Sequence, residues 1–326
     1  MRSRYCIAGL VFLISCTPYF PGDTKTLPPW SAVTVTETST YVSNTTNELV
    51  FNAAVCWLGI NQYSLTLDSV EFSGPGKYTV LGSSFDVAGT VGYSSTVVLI
   101  DQSGTYDSVD EYNNRSKGLN KFFQDVQSPG NYLLGGFSSQ GKLTTEPVEF
   151  FQQEFGNDPA AQMPFLFDLA QLTGGKSSLY DAIHAGLSRL SALNSSNKKN
   201  IVVLAHAVDG GSTTPPDSLI ANALLRSIQI NIILLGSADP SVMAKLSLST
   251  GGFFIVCPSD LELMAALNLL NHTLTESGSV TNVTIRYEPE SGNLSPGEET
   301  IHTMVVYYPA NNYDFTPLVM YVKIPN

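Results

Sequence analysis

Positive charge is scarce in this chain. Lys and Arg number 16 against 28 Asp and Glu, for a formal net charge of −12. Nucleic acid needs a basic footprint and anionic lipid surfaces draw in basic segments, so the balance argues against both. Histidine and cysteine are also scarce, with four of each. Cys6 and Cys16 fall in the N-terminal segment, which leaves Cys56 and Cys257, and no metal motif pairs those two. His184, His272 and His302 have no second histidine or cysteine at a ligand spacing. Several catalytic signatures are missing as well. There is no Gly-x-Ser-x-Gly elbow. Gly175-Lys176-Ser177 ends like a phosphate-binding loop, but Ala170 stands where the first glycine should be. Asp101-Gln102-Ser103-Gly104 is not an aspartic-protease signature, because the glutamine breaks it. With no poised nucleophile and base in view, the chain reads as non-enzymatic.

The N-terminus carries an export signal. Arg2 and Arg4 precede an apolar run from Ile7 to Ile14, which is too short to span a bilayer as a lasting helix. A basic start, a short apolar core and a small residue before a cut describe a secretory signal. Leu13-Ile14-Ser15-Cys16 also resembles the bacterial lipoprotein box. That resemblance implies cleavage before Cys16, acylation of Cys16 and attachment to a membrane of the cell envelope, the outer one in a diderm. Export makes a disulfide between Cys56 and Cys257 permissible, and buried thiols are the equal alternative.

With 326 residues the chain is long enough for two domains, or for one with a large insertion. Residues 1–15 are expected to be the signal. Residues 16–45, rich in Pro, Thr and Ser, are expected to be a tether. Residues 46–92 hold short β-type runs, among them Leu49-Val50-Phe51, Ala54-Val55-Cys56-Trp57, Leu65-Thr66-Leu67 and Val70-Glu71-Phe72. Residues 279–326 return to strands, and the two β-rich parts are expected to form one sandwich-like region. Between them, over 93–278, strands alternate with helices. Leu119, Phe122, Phe123 and Val126 make one helical stripe, and Leu179, Ile183, Leu187 and Leu190 another. Pro215-Pro216-Asp217 opens a helix with Leu219, Ala223 and Leu224. Glu149 to Ala170 has no clear period. The pattern predicts an α/β fold, a doubly wound and mostly parallel sheet covered on both faces.

The chemistry concentrates at Thr96 to Thr105. An apolar, β-branched run stops at Asp101, and Ser103 and Thr105 follow at alternate positions. A parallel sheet presents its ligands just beyond such a strand end. One carboxylate and two hydroxyls are hard oxygen donors suited to Mg²⁺, Mn²⁺ or Ca²⁺. A helix N-cap followed by a polar loop is the competing reading.

At this point residues 95–275 resemble a von Willebrand factor type A domain. Val97 to Asp101 with Ser103 resembles the first strand and its Asp-x-Ser-x-Ser signature. Leu133-Leu134-Gly135-Gly136-Phe137-Ser138 resembles the second strand, and Gly174 to Ala182 the Gly-Gly-Thr-x-Leu-Tyr-Asp-Ala segment with one extra residue. Leu267 and its neighbours resemble the last helix. The resemblance implies a metal-ion-dependent adhesion site (MIDAS) at the carboxyl edge of the sheet. Its ligands would be Asp101, Ser103, Thr105, Ser177 and an aspartate after the fourth strand. The last position is open. Ala205-His206-Ala207 stands there without gaps, and Asp209-Gly210 comes about two residues late. Asp209, directly or through water, would suit Mg²⁺. His206 would favour Mn²⁺, Zn²⁺ or Ni²⁺. If neither serves, the site is dead and holds no cofactor. The expected function is protein binding, in adhesion or complex assembly, by a lipid-anchored protein that uses a divalent cation. The alternative is a structural envelope scaffold that has lost metal binding.

Overall fold

The structure is a computed structural model that describes residues 30–42, 47–58, 69–73, 76–87, 93–104, 114–125, 130–138, 148–150, 154–162, 164, 166, 174–206, 208–236, 241–257, 263, 266, 267, 270, 279–290, 297, 299–307 and 316–323. Cys16, the signal segment, Thr105, Leu65 to Leu67 and Val126 lie outside the described residues.

The central sheet has strands β5 (Ser94–Asp101), β6 (Gly130–Phe137), β7 (Val148–Phe150), β8 (Lys198–Ala205), β9 (Ile228–Leu235) and β10 (Phe254–Cys257), in the order β10-β9-β8-β5-β6-β7. All neighbours are parallel except β7, which runs antiparallel on the edge of β6. Four helices accompany it: α1 (Asn114–Asp125), α2 (Leu179–Ala192), α3 (Pro216–Leu225) and α4 (Ser241–Ser249). From β5 the chain crosses first to β6 and later to β8 on the other side. The order therefore reverses at β5, which is where open α/β sheets form their ligand crevice.

Alternation along the strands splits the core into two layers. Val97 and Leu99 face Ile183, Leu187 and the residues of α3 and α4, whereas Val98 and Ile100 face Leu119, Phe122, Phe123 and Leu267. The strands are apolar on both faces because both faces are covered. Polar residues inside them have cross-strand partners. Asn200 Nδ2 donates to Ser94 Oγ at 3.0 Å, and Asn231 Oδ1 accepts from the Phe253 N–H at 3.0 Å. Cys257 ends β10 as a buried thiol, not a disulfide. Among the described residues no helix is long and apolar enough to cross a membrane.

The flanking strands interleave. A four-stranded antiparallel sheet has the order β1-β2-β11-β4, with β1 (Trp30–Val42), β2 (Asn47–Leu58), β4 (Lys77–Val87) and β11 (Ser279–Glu288). A three-stranded sheet has the order β13-β12-β3, with β3 (Ser69–Ser73), β12 (Glu299–Tyr307) and β13 (Thr316–Lys323). Each sheet draws strands from both sides of the α/β region. β4 enters that region and β11 leaves it, and they pair with each other, Val87 opposite Ser279.

Three local readings differ from expectation. Residues 30–42, taken as tether, form β1 and pair with β2 from Trp30↔Leu58 to Val42↔Asn47. Threonine and valine favour a strand whether the β-branch is polar or not, so low aliphatic content misleads there. The two runs over 49–57 are one strand, β2. Leu224 is 57% exposed although it shares α3 with buried Leu219 and Ala223. The stretch 149–170, left ambiguous, holds the short edge strand β7 and a 3₁₀ turn at Pro159–Gln162.

Candidate metal-binding edge of the sheet

Asp101 is the last residue of β5 and is fully buried. Its Oδ1 accepts the Ser103 N–H at 2.8 Å, and its Oδ2 lies 3.5 Å from the donating His206 N–H. Burial pushes its pKa up. Hydrogen bonds from the backbone and hydroxyl of Ser103, the Ser177 hydroxyl nearby and the His206 N–H pull it partway back. The Ser177 hydroxyl lies near this carboxylate. This oxygen, in a residue only 2% exposed, has no hydrogen-bond partner among the described residues.

Three loops converge here, tied together by their backbones. Gly174 N–H donates to Gln102 O at 2.9 Å and Gly104 N–H to Gly175 O at 3.1 Å. Gly210 and Gly211 N–H both donate to Ser177 O, at 3.1 and 3.0 Å. Gly174 and Gly175 carry φ of 142° and 74°, which suits glycine in both places. Of the residues singled out from sequence, the fold brings Asp101, Ser103 and Ser177 together.

The two candidates for the last position are both engaged elsewhere. His206 Nδ1 lies 2.8 Å from Leu235 O. A carbonyl only accepts, so Nδ1 carries the proton and the ring leans onto the end of β9, the strand on the far side of β8 from Asp101. Asp209 caps α2. Its Oδ1 accepts the Tyr180 N–H at 3.3 Å and the Ser212 hydroxyl at 2.6 Å, and its Oδ2 accepts the Ser212 N–H at 3.2 Å.

Several residues of the site were not legible in sequence. Arg115, buried on α1, donates from Nη1 to the Asp101 carbonyl at 3.0 Å and fixes the strand end. Gln102 is 1% exposed, and its side-chain amide has no hydrogen-bond partner among the described residues. Asp181 accepts the Thr213 and Thr214 N–H groups at 3.0 and 2.9 Å and the Thr214 hydroxyl. Partial burial raises its pKa, but these hydrogen bonds outweigh that and leave it below the ordinary carboxylate range. A depressed pKa adds stability above the unfolded value and loses it as pH falls through the folded one. Asp181→Ala is therefore expected to cost about 1 kcal/mol at neutral pH, discounted for solvent screening, and little at acid pH. Urea midpoints at the two pH values check this.

The fit to a divalent cation can be judged from the donors. Asp101 supplies one carboxylate, and Ser103 and Ser177 supply hydroxyls, all hard oxygens. A buried carboxylate with an unpartnered hydroxyl beside it is an arrangement that a cation would satisfy. Among the described residues no three His, Cys, Asp or Glu side chains gather to hold a metal. A cation held here would therefore depend on hydroxyls around a single acid.

Five parallel strands covered on both faces, with these three loops at the carboxyl edge of β5, make a Rossmann-like α/β fold consistent with that of a von Willebrand factor type A domain. No family model matches the sequence, and no curated protein matches it. Solved structures similar to it include a von Willebrand factor type A protein from Catenulispora acidiphila, at 10% identity and a TM-score of 0.47, covering 94% of this chain and 76% of that one. The pilus adhesin SpaC from Lactobacillus rhamnosus GG aligns at 12% identity and a TM-score of 0.48, covering 90% and 48%. Proximal thread matrix protein 1 from the mussel byssus aligns at 11% identity and a TM-score of 0.48, covering 65% and 51%. The chain thus spans about half the length of the last two.

Proposed function

We propose that this is a non-enzymatic protein-binding module, held at a bacterial envelope membrane by acylated Cys16, that engages another protein through a divalent cation at the Asp101 edge. The observation that supports it most is the buried Asp101 carboxylate with Ser103 on it and the orphaned Ser177 hydroxyl beside it. Mg²⁺ or Mn²⁺ suits those oxygens. The cation would bridge this edge to an acidic group of the partner, and Thr105 would add a third hydroxyl. Calorimetric titration with Mg²⁺, Mn²⁺ and Zn²⁺ tests it, beside Asp101→Ala, Asp209→Ala and His206→Ala. Saturable binding that disappears in Asp101→Ala is expected.

One observation favours a second reading, an envelope scaffold with a lapsed site. Asp209, the acid that would raise the site's charge, is bonded to the Tyr180 N–H and the Ser212 hydroxyl instead. Absence of binding by all three ions would select that reading.

A further inference from the structure

Asp209 caps α2 from a loop that is also tied to Ser177. Its carboxylate has three hydrogen bonds: one from the Tyr180 N–H at the start of α2, and two from Ser212 in its own loop, the N–H and the hydroxyl. The first N–H groups of a helix have no partner within it, so Tyr180 depends on Asp209. Ser178, at the N-cap position, supplies no side-chain cap. Yet the next two residues, Gly210 and Gly211, are bonded to the carbonyl of Ser177, whose hydroxyl lies beside Asp101. The loop that carries Asp209 is therefore clamped to the backbone of the residue whose hydroxyl lies near Asp101.

We propose that Asp209 is exchanged between two uses. It caps α2 when the edge is empty and turns to the cation when one binds, and Ser212 sets the cost of the exchange. This inference rests on the cation reading above. Ser212 holds Asp209 by a short bond to an ionised acceptor, the stronger class of hydrogen bond. It acts as a positioning residue, because its own contacts are with Asp209 and with the Asp181 N–H, at 3.0 Å, and not with the cation. Cation affinity in the wild-type protein is then lowered by whatever the cap is worth, as for any ligand that needs a minor conformation.

Titration of the full chain with Mn²⁺ and Mg²⁺ tests this, with amide hydrogen exchange read at Tyr180. Saturating cation should speed Tyr180 exchange by roughly tenfold or more, although ligand binding ordinarily slows exchange. Ser212→Ala should bind cation roughly tenfold more tightly, about 1.4 kcal/mol, and Ser212→Thr should bind as the wild type does. Asp209→Asn should bind at least tenfold more weakly, and Asp101→Ala not at all. Binding lost in Asp101→Ala, with Tyr180 exchange unchanged or slowed, overturns the exchange and leaves the cation site standing. Absence of binding in the wild type overturns both together. If Ser212→Ala does not fold, the Tyr180 exchange of the wild type decides alone.

Discussion

Saturating Mg²⁺ or Mn²⁺ is expected to raise the melting temperature of the wild-type protein and leave Asp101→Asn where it was. At a concentration one hundred times Kd a cation adds about 2.7 kcal/mol, which for a region of this size is roughly 5–10 °C. In chelator the order should invert, with Asp101→Asn the more stable of the two at neutral pH. The reason is that Asp101 is fully buried and its pKa is raised, chiefly by desolvation. A raised carboxyl pKa means that the folded state holds the proton more tightly than the unfolded one. Metal-free stability is then lost as pH climbs from about 4, the ordinary aspartate value, to the folded value, and stays lost above it. Asparagine has no such titration, and its carbonyl can keep the Ser103 N–H. The gap between the two variants in chelator should close towards acid pH. Melting curves at pH 3.5 and pH 7, with and without cation, check both halves. A wild type more stable than Asp101→Asn in chelator at pH 7 would sink the argument.

Gly252→Ala should be the most damaging single methyl in the α/β region. A Cβ there would lie 2.0 Å from Ile230 O and 2.6 Å from Ile230 C, both backbone atoms of β9. Backbone cannot step aside as a flexible side chain can. The Phe253 carbonyl one residue on accepts the Ile232 N–H at 2.9 Å, so relief would pull β10 from β9. Overpacking commonly costs 1–3 kcal/mol; with backbone on the other side we expect about 3 kcal/mol or more. Gly135→Ala supplies the contrast. Its Cβ would meet the Val148 and Phe150 side chains at 2.7 and 3.0 Å. These belong to the short edge strand β7, which can shift, so about 1 kcal/mol is expected. Denaturant midpoints of the two variants decide; equal losses would show that β9 and β10 yield as easily as the edge.

Where an element is defined by what it buries, the sequence declared it. β5, β8 and β9 are apolar runs because helices cover both faces, and Leu179, Ile183, Leu187 and Leu190 of α2 are all buried at the spacing that predicted them. Where an element is defined by a partner, it did not. β1 looks like a tether until β2 is laid beside it. Leu224 completes an apolar pattern on paper but faces outward on α3. The site divides the same way. Asp101, Ser103 and Ser177 could be picked out from strand ends and loop signatures. The cap that Asp209 gives Tyr180, 29 residues earlier, and the grip of Arg115 on the Asp101 carbonyl exist only once the loops have met.

The pairing of β4 with β11 has a mechanical consequence. The two crossings between the α/β region and the sheet leave side by side, with Val87 opposite Ser279. A pull on the Asp101 edge therefore reaches the sheet along two strands of opposite direction at once. β11 is flanked by β2 as well as β4, so its share is carried in shear by hydrogen bonds on both of its sides. A module hung from a single linker would put its whole load on one strand end. This one divides it between the edge strand β4 and the inner strand β11.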